Sequence, residues 1–286
     1  MASLKLLAYA KVNLYLAVFK KRPDGYHDIK SVIQNISIFD EIHLEEAERL
    51  EVTSNLPIRP KENLVTKAAA VMMELANKKG IKITLRKNIA IAAGLGGGSS
   101  DAAAVIHGLN TLWDLKLPEE TLIERARGLG SDIPFFIKGG TALIEDTGEK
   151  VSPLTNNAKM HFVIAKPGYG VRSHEAYHRF DKEEPPPAPP IEGVIKALEK
   201  GDVEAIAKNI SNMLEPTVIK GHPQIELLKQ AALKAGALSA NLCGSGSSIF
   251  CLVDSTEQAK EVSRSLEKEV SDVYIAESRD FALETI

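Results

Sequence analysis

The sequence predicts an α+β protein of two lobes, on three observations. Strand-like and helix-like segments mix without the strict alternation of a doubly wound sheet. The chain of 286 residues exceeds the commonest single-domain size of roughly 100–150 residues. Two glycine-rich elements, Gly94–Gly98 and Cys243–Ser248, stand one in each half, the first leading into a helical pattern and the second into a strand.

Residues 4–19 alternate as a strand, with Val12, Leu14 and Leu16 on one face and Lys11, Asn13 and Tyr15 on the other, so that an amine and an amide share a face. This apolar stretch is not an export signal, because Lys11 and Asn13 interrupt it and Lys20–Gly25 reads as a turn. A second strand follows over 31–44. Residues 63–79 carry a helical pattern through Leu64, Ala68, Val71, Met72 and Leu75, with Gly80 placed to stop it. After a short strand over 81–85 comes the glycine loop. Val105, Ile106, Leu109, Leu112 and Trp113 then recur at helical spacing, with Ser99, Ser100 and Asp101 supplying cap chemistry. Further helices are expected over 118–127, 191–200, 202–213, 223–235 and 257–270, and strands over 160–166, 249–253 and 273–276. The proline run Pro185–Pro190 reads as extended and exposed. The two lobes are expected to span 1–155 and 156–286.

A net charge of −3 offers little attraction to nucleic acid or an anionic membrane surface, and neither is expected as a partner. No segment approaches the roughly 20 apolar residues of a membrane span. Two cysteines, Cys243 and Cys251, are too few for a disulfide framework, and a cytoplasmic location is the expectation. Of the histidines only His174 and His178 are spaced as a metal-ligand pair, with no third ligand nearby, so surface positions are expected and metal ligands stay unassigned.

Phosphate oxygens are met most closely by backbone N–H groups, and glycine permits both the approach and the φ angles required. At a helix N-terminus such a loop adds the positive end of the helix dipole. Gly94–Gly98 has that setting. It lacks the lysine of a P-loop, the third glycine of a dinucleotide fingerprint, the closing glycine of a hydrolase elbow and the protein-kinase motifs. Phosphoryl transfer to an alcohol also needs an acceptor-side carboxylate and a cation. Asp132 and Lys11 are the candidates; the alternatives are a turn or cap aspartate and an edge-strand lysine with its head in water.

Ala10–Leu14, Gly94–Ser100 and Gly244–Ser247 resemble, in order, the three motifs of the GHMP small-molecule kinases. Pro23–His27, Gly130–Phe136 and Gly139–Ala142 resemble those members that phosphorylate a cytidine-diphosphate-linked polyol; homoserine or mevalonate acceptors are the alternative. The resemblance implies a two-lobed GHMP kinase fold, with an N-terminal lobe like a ribosomal-protein domain and a C-terminal ferredoxin-like α/β sandwich, acting as monomer or homodimer in isoprenoid-precursor synthesis. It further implies ATP with Mg²⁺ as cofactors, the nucleotide lying on Ala92, Ala93, Gly94, Leu95, Gly96, Gly97, Gly98, Ser99, Ser100, Asp101 and Ala102. Asp132 would receive the hydroxyl proton, and Lys11 would position the acceptor and Asp132. Asn13 would lie near the acceptor, Tyr26 and Tyr177 would sandwich the cytosine, and His27 would hydrogen-bond it. Ala90 and Ser247 stand where this family commonly carries proline.

Overall fold

The computed structural model describes residues 2–56, 63–183 and 187–286, so Pro185 and Pro186 lie outside the described residues. Two long antiparallel strands, β1 (Ser3–Lys21) and β2 (His27–Glu46), form the hairpin on which the rest is assembled. Pro23–Asp24–Gly25 closes it as expected. Gly25 takes φ +89°, a conformation that favours glycine, while Tyr26 N donates to Asp24 Oδ1 at 3.0 Å. The strands run further than the apolar pattern marks, because the ladder at Lys21↔His27 and Ala17↔Lys30 is made by backbone groups whatever the side chains.

β3 (Leu50–Ser54) pairs parallel with β4 (Ile81–Arg86) across α1 (Leu64–Ala76), and β4 pairs antiparallel with β2. Asn63 caps α1 through its Oδ1, which accepts from Val65 N at 3.0 Å. The helix stops at Asn77, left-handed at φ 50°, not at the expected Gly80. That glycine serves a close approach instead: a Cβ there would fall 2.1 Å from Arg49 N. α2 (Gly97–Leu112), α3 (Glu119–Ala126) and α4 (Ile133–Lys138) follow, then β5 (Thr141–Asp146) on β2 and β6 (Lys150–Pro153) on β5. The alanine run Ala102–Ala104 and Gly108 of α2 are small enough for the helix to lie tightly on the hairpin; a Cβ on Gly108 would sit 2.5 Å from Leu44 Cδ1.

The second half contributes β7 (His161–Lys166), α5 (Ser173–Phe180), α6 (Glu192–Lys200) and α7 (Val203–Asn209). β8 (Ser211–Asn212), α8 (Glu215–Gly221), α9 (Gln224–Lys234) and β9 (Ser239–Leu242) come next, followed by β10 (Ile249–Val253), α10 (Thr256–Leu266), β11 (Asp272–Arg279) and β12 (Leu283–Thr285). The sheet order is β12-β1-β2-β11-β7-β10-β9. The helix expected over 202–213 ends at Asn209 because Ser211 and Asn212 pair with Tyr15 and Leu16 of β1, a tertiary pairing that outweighs helical propensity. Ser278 and Arg279 of β11 join Ile36 and Asn35 of β2, so the two halves share one sheet. No helix among the described residues is long and apolar enough to cross a membrane.

Candidate active site

The glycine loop is wedged between the halves of the molecule. Gly96 sits at the cap of α2 in the left-handed region, φ +74°, with no side-chain cap; Ser99, Ser100 and Asp101, expected as caps, fall inside the helix. Gly94 is left-handed at φ +77° and a Cβ on it would fall 1.8 Å from Cys243 O. The second glycine element therefore backs directly onto the first. Backbone bonds hold the loop from three directions: Lys11 N to Leu95 O at 3.0 Å, Ser248 N to Ala93 O at 3.4 Å and Val171 N to Ala92 O at 3.3 Å. Beyond it the first-turn N–H groups of α2 lack helical partners and carry the positive end of the dipole.

Lys11 and Asp132 meet beside this loop. Lys11 is 4% exposed; its Nζ donates to Asn13 Oδ1 at 2.7 Å and lies 3.6 Å from Asp132 Oδ2. Asn13 Nδ2 in turn donates to Ser31 Oγ at 2.8 Å, and Ser31 Oγ to Tyr15 O at 2.6 Å. A chain of buried bonds thus fixes the ammonium from behind, and the lysine is not an edge residue in water. Asp132 occupies the position before α4 yet makes no cap hydrogen bond. Its carboxylate turns to Lys11 instead.

At the far end Tyr26 is 64% exposed, while His27 is buried, against the surface position expected for a histidine. His27 Nε2 lies 2.6 Å from Asp181 Oδ1, and Lys21 Nζ donates to Asp181 Oδ2 at 2.7 Å. Tyr177 lies against His27, ring centroids 5.1 Å apart and planes at 31°. Burial, and then the charge of Asp132, push the Tyr177 hydroxyl above its ordinary range. Asp181 is 154 residues from His27 in the chain, and no local signal in the sequence marks it.

One cavity of about 800 Å³ takes in all three regions, a size that suits a small-molecule site. Lys11, Asn13, Tyr26, His27, Asp132 and Tyr177 all line it. So do residues 92–99 and Asp101 of the loop. Ser100 and Ala102 do not: Ser100 Oγ turns inward to Tyr9 O at 2.7 Å, and Ala102 is packed in the core.

Residues 63–140 match the model of the GHMP kinases N terminal domain, and residues 194–272 that of the GHMP kinases C terminal domain. The 4-diphosphocytidyl-2-C-methyl-D-erythritol kinase of Caldicellulosiruptor bescii is 36% identical over 277 residues, 95% of this chain and 97% of that protein. The kinase of the same name from Carboxydothermus hydrogenoformans is 40% identical over 262 residues, 90% of this chain and 91% of that protein. The chain belongs to the 4-diphosphocytidyl-2-C-methyl-D-erythritol kinases. A crystal structure of a 4-(cytidine 5'-diphospho)-2C-methyl-D-erythritol kinase matches with a TM-score of 0.83 at 30% identity, covering 96% of this chain and 98% of that one. A homoserine kinase from Cytophaga hutchinsonii, TM-score 0.77 at 21% identity over 100% of this chain and 98% of that one, shares the fold. The α+β, two-lobed GHMP kinase architecture expected from the sequence is thus the one present.

In this member of the 4-diphosphocytidyl-2-C-methyl-D-erythritol kinases the loop rests on a buried ionic group that sequence reading missed. Lys87 Nζ contacts Asp40 Oδ2 and donates to Asp101 Oδ2 at 2.6 Å. Asp40 Oδ1 also accepts from Asn88 N and Ile89 N, at 2.6 and 2.8 Å. Burial pushes the Asp101 carboxyl up to about 8, with Lys87 opposing and Asp40 adding to the rise. Burial lowers the Lys87 ammonium, but the two carboxylates outweigh it and hold it above its usual value.

Proposed function

We propose that this protein transfers the γ-phosphate of ATP to the 2-hydroxyl of 4-diphosphocytidyl-2-C-methyl-D-erythritol, a step of the non-mevalonate route to isopentenyl diphosphate, in the cytoplasm. The observation that carries this reading is the Lys11–Asp132 pair at 3.6 Å in the cavity that joins the glycine loop to Tyr26, His27 and Tyr177. The stem of Lys11 touches the space above Gly96 on one side, a Cβ there lying 3.0 Å from Lys11 Cγ. On the other side the charge of Asp132 reaches Tyr177. The phosphate cradle and the base end are therefore bridged by the two groups that the transfer needs.

In this scheme backbone N–H groups of Gly94–Ser99 hold the triphosphate. Asp132 takes the proton of the acceptor hydroxyl as its oxygen attacks the γ-phosphorus and ADP departs. Lys11, pinned by Asn13, has three N–H donors; one reaches Asn13, one faces Asp132, and the third is available to the acceptor oxygen or the transferred phosphoryl. Tyr26 and Tyr177 would flank the cytosine and His27 would hydrogen-bond it, since stacking with edge recognition is what a splayed pyrimidine requires. GHMP kinases use ATP, and the donors here fit a Mg²⁺ that arrives with the nucleotide. Among the described residues no cluster of three His, Cys, Asp or Glu side chains forms a cage, and Mg²⁺ needs only one or two protein oxygens beside phosphates and water. Ser99 and Asp132 are oxygen donors on the cavity wall. The ion would neutralise charge on the phosphate oxygens. The lobes are proposed to divide near residue 155, between β6 and β7.

The test is to incubate the purified protein with Mg-ATP and, separately, the cytidyl substrate, homoserine or mevalonate. ATP consumption with the cytidyl substrate alone is the expected result; consumption only with homoserine or mevalonate moves the assignment elsewhere in the GHMP kinases. Asp132→Asn should lower turnover by roughly 10²-fold or more at little cost in substrate binding, the scale of a lost general base. Near-normal turnover would reject the role of Asp132.

A further inference from the structure

His27 is held from several sides. Its ring lies against Tyr177, and Phe180 approaches edge-on with centroids 6.5 Å apart at 84°. Nε2 lies 2.6 Å from Asp181 Oδ1. A carboxylate only accepts, so Nε2 carries the proton. Asp181 is itself anchored, because its other oxygen, Oδ2, accepts from Lys21 Nζ at 2.7 Å. In the neutral imidazole with its proton on Nε2, the other ring nitrogen carries none. Nδ1 is then a bare acceptor. It has no hydrogen-bond partner among the described residues, it is not among the buried polar atoms sealed without one, and the ring borders the cavity.

We infer that Asp181, backed by Lys21, is a positioning residue that fixes His27 as its Nε2–H tautomer, so that Nδ1 selects a pyrimidine bearing an exocyclic amine over one bearing a carbonyl. The base choice rests on the proposed function. Cytosine presents an N4 amine, a donor that a bare Nδ1 accepts. Uracil presents O4 at the same place, and two acceptors then face each other. The choice between the bases is thus made by a carboxylate that touches neither. A site built around a hydrogen bond rejects the analogue that leaves its buried polar group unpaired far more strongly than an apolar pocket rejects a change of shape.

The experiment compares the cytidyl substrate with its uridine analogue in the full-length enzyme, wild type and Asp181→Ala, with ¹⁵N NMR of the His27 imidazole in the same samples. For the wild type, the NMR should report Nε2 protonated and Nδ1 bare, and kcat/KM should favour the cytidyl substrate by on the order of 10²-fold or more. In Asp181→Ala the ring is free to exchange tautomers, and the preference should fall to within about threefold. KM for the cytidyl substrate should rise about tenfold, the scale of one hydrogen bond, with kcat and the KM for ATP little changed, which also reports an intact fold. Lys21→Met tests the anchoring of the carboxylate without touching Asp181, and should lower the cytidine preference part of the way. A wild-type ring protonated at Nδ1, or a cytidine preference that survives Asp181→Ala, would overturn the role given to Asp181. Wild-type enzyme inactive on both nucleotides would instead overturn the functional reading and the base choice with it, leaving the NMR result to decide the tautomer.

Discussion

Asp40, Lys87 and Asp101 put two carboxylates on one ammonium beneath the first turn of α2, all nearly fully buried. Removing the cation leaves the buried Asp40 carboxylate uncompensated, and Lys87→Met should destabilise the protein by about 3–5 kcal/mol. Asp101 has a second consequence. Its carboxyl titrates at about 8 in the fold against an ordinary 3.8. Between those values the folded state binds a proton that the unfolded chain has released, so this contribution to stability is full below about 3.8 and is lost as pH rises through about 8. Urea unfolding at a series of pH values checks it. Asp101→Asn, neutral throughout, should remove a component of slope approaching 1.4 kcal/mol per pH unit within that window; identical slopes in variant and wild type would contradict it. Single residues differ in how far the sequence exposes them. Lys11 and Asp132 stand out because each breaks an apolar neighbourhood. Asp40 and Lys87, 47 positions apart, look like ordinary surface charges until the fold brings them together.

The glycine loop and the start of α2 form one element, with steric demands that differ from one glycine to the next. A methyl on Gly94 would meet Cys243 O at 1.8 Å in a left-handed conformation, so Gly94→Ala should cost at least about 2 kcal/mol through strain and overpacking. A methyl on Gly98 would find nothing nearer than Leu64 Cδ1 at 3.9 Å, and the residue sits in a helix, where alanine is preferred. Gly98→Ala should therefore keep or slightly raise Tm while raising the KM for ATP, because Gly98 lines the cavity where the phosphates are proposed to lie. Thermal melts beside ATP kinetics separate the two effects; an unchanged ATP constant would move the phosphates off this turn. The helix after the loop was readable from apolar spacing, but its cap was not. Serine and aspartate are good caps in general, yet here the chain must reverse at Gly96 against Phe136 and Lys11. The same kind of distant constraint shortens the helix after residue 202, where pairing with β1 takes the backbone.

Across the whole molecule the last residues of the chain return to its first strand. Ala282 is 3% exposed and packs in the apolar cluster with Leu6, Ile33 and Phe135. Tyr9 N donates to Ala282 O at 2.9 Å, Ile286 N to Lys5 O at 3.0 Å, and Tyr9 Oη to Glu284 Oε2 at 2.6 Å. β12 thereby covers the outer edge of β1, the strand that carries Lys11 and Asn13. An edge strand without its neighbour exposes a row of unpaired backbone groups. Three paired residues carry too little pattern to read as a strand, and their partners lie at the opposite end of the sequence. Ending the chain after Asp280 should lower Tm by roughly 3–5 °C, equivalent to about 2–3 kcal/mol at this chain length. The damage should be unevenly placed. Amide hydrogen exchange should quicken in β1 and around Gly139, whose Cα side is closed by Ala282 N, 2.5 Å from a Cβ built there. β9 and β10, at the other end of the sheet order, should keep their protection. Because β1 also positions Lys11 against Asp132, turnover should fall with the loss of order in that strand. Uniform loss of protection across both halves would mean that the sheet unfolds as one unit and that the last strand is no local clasp.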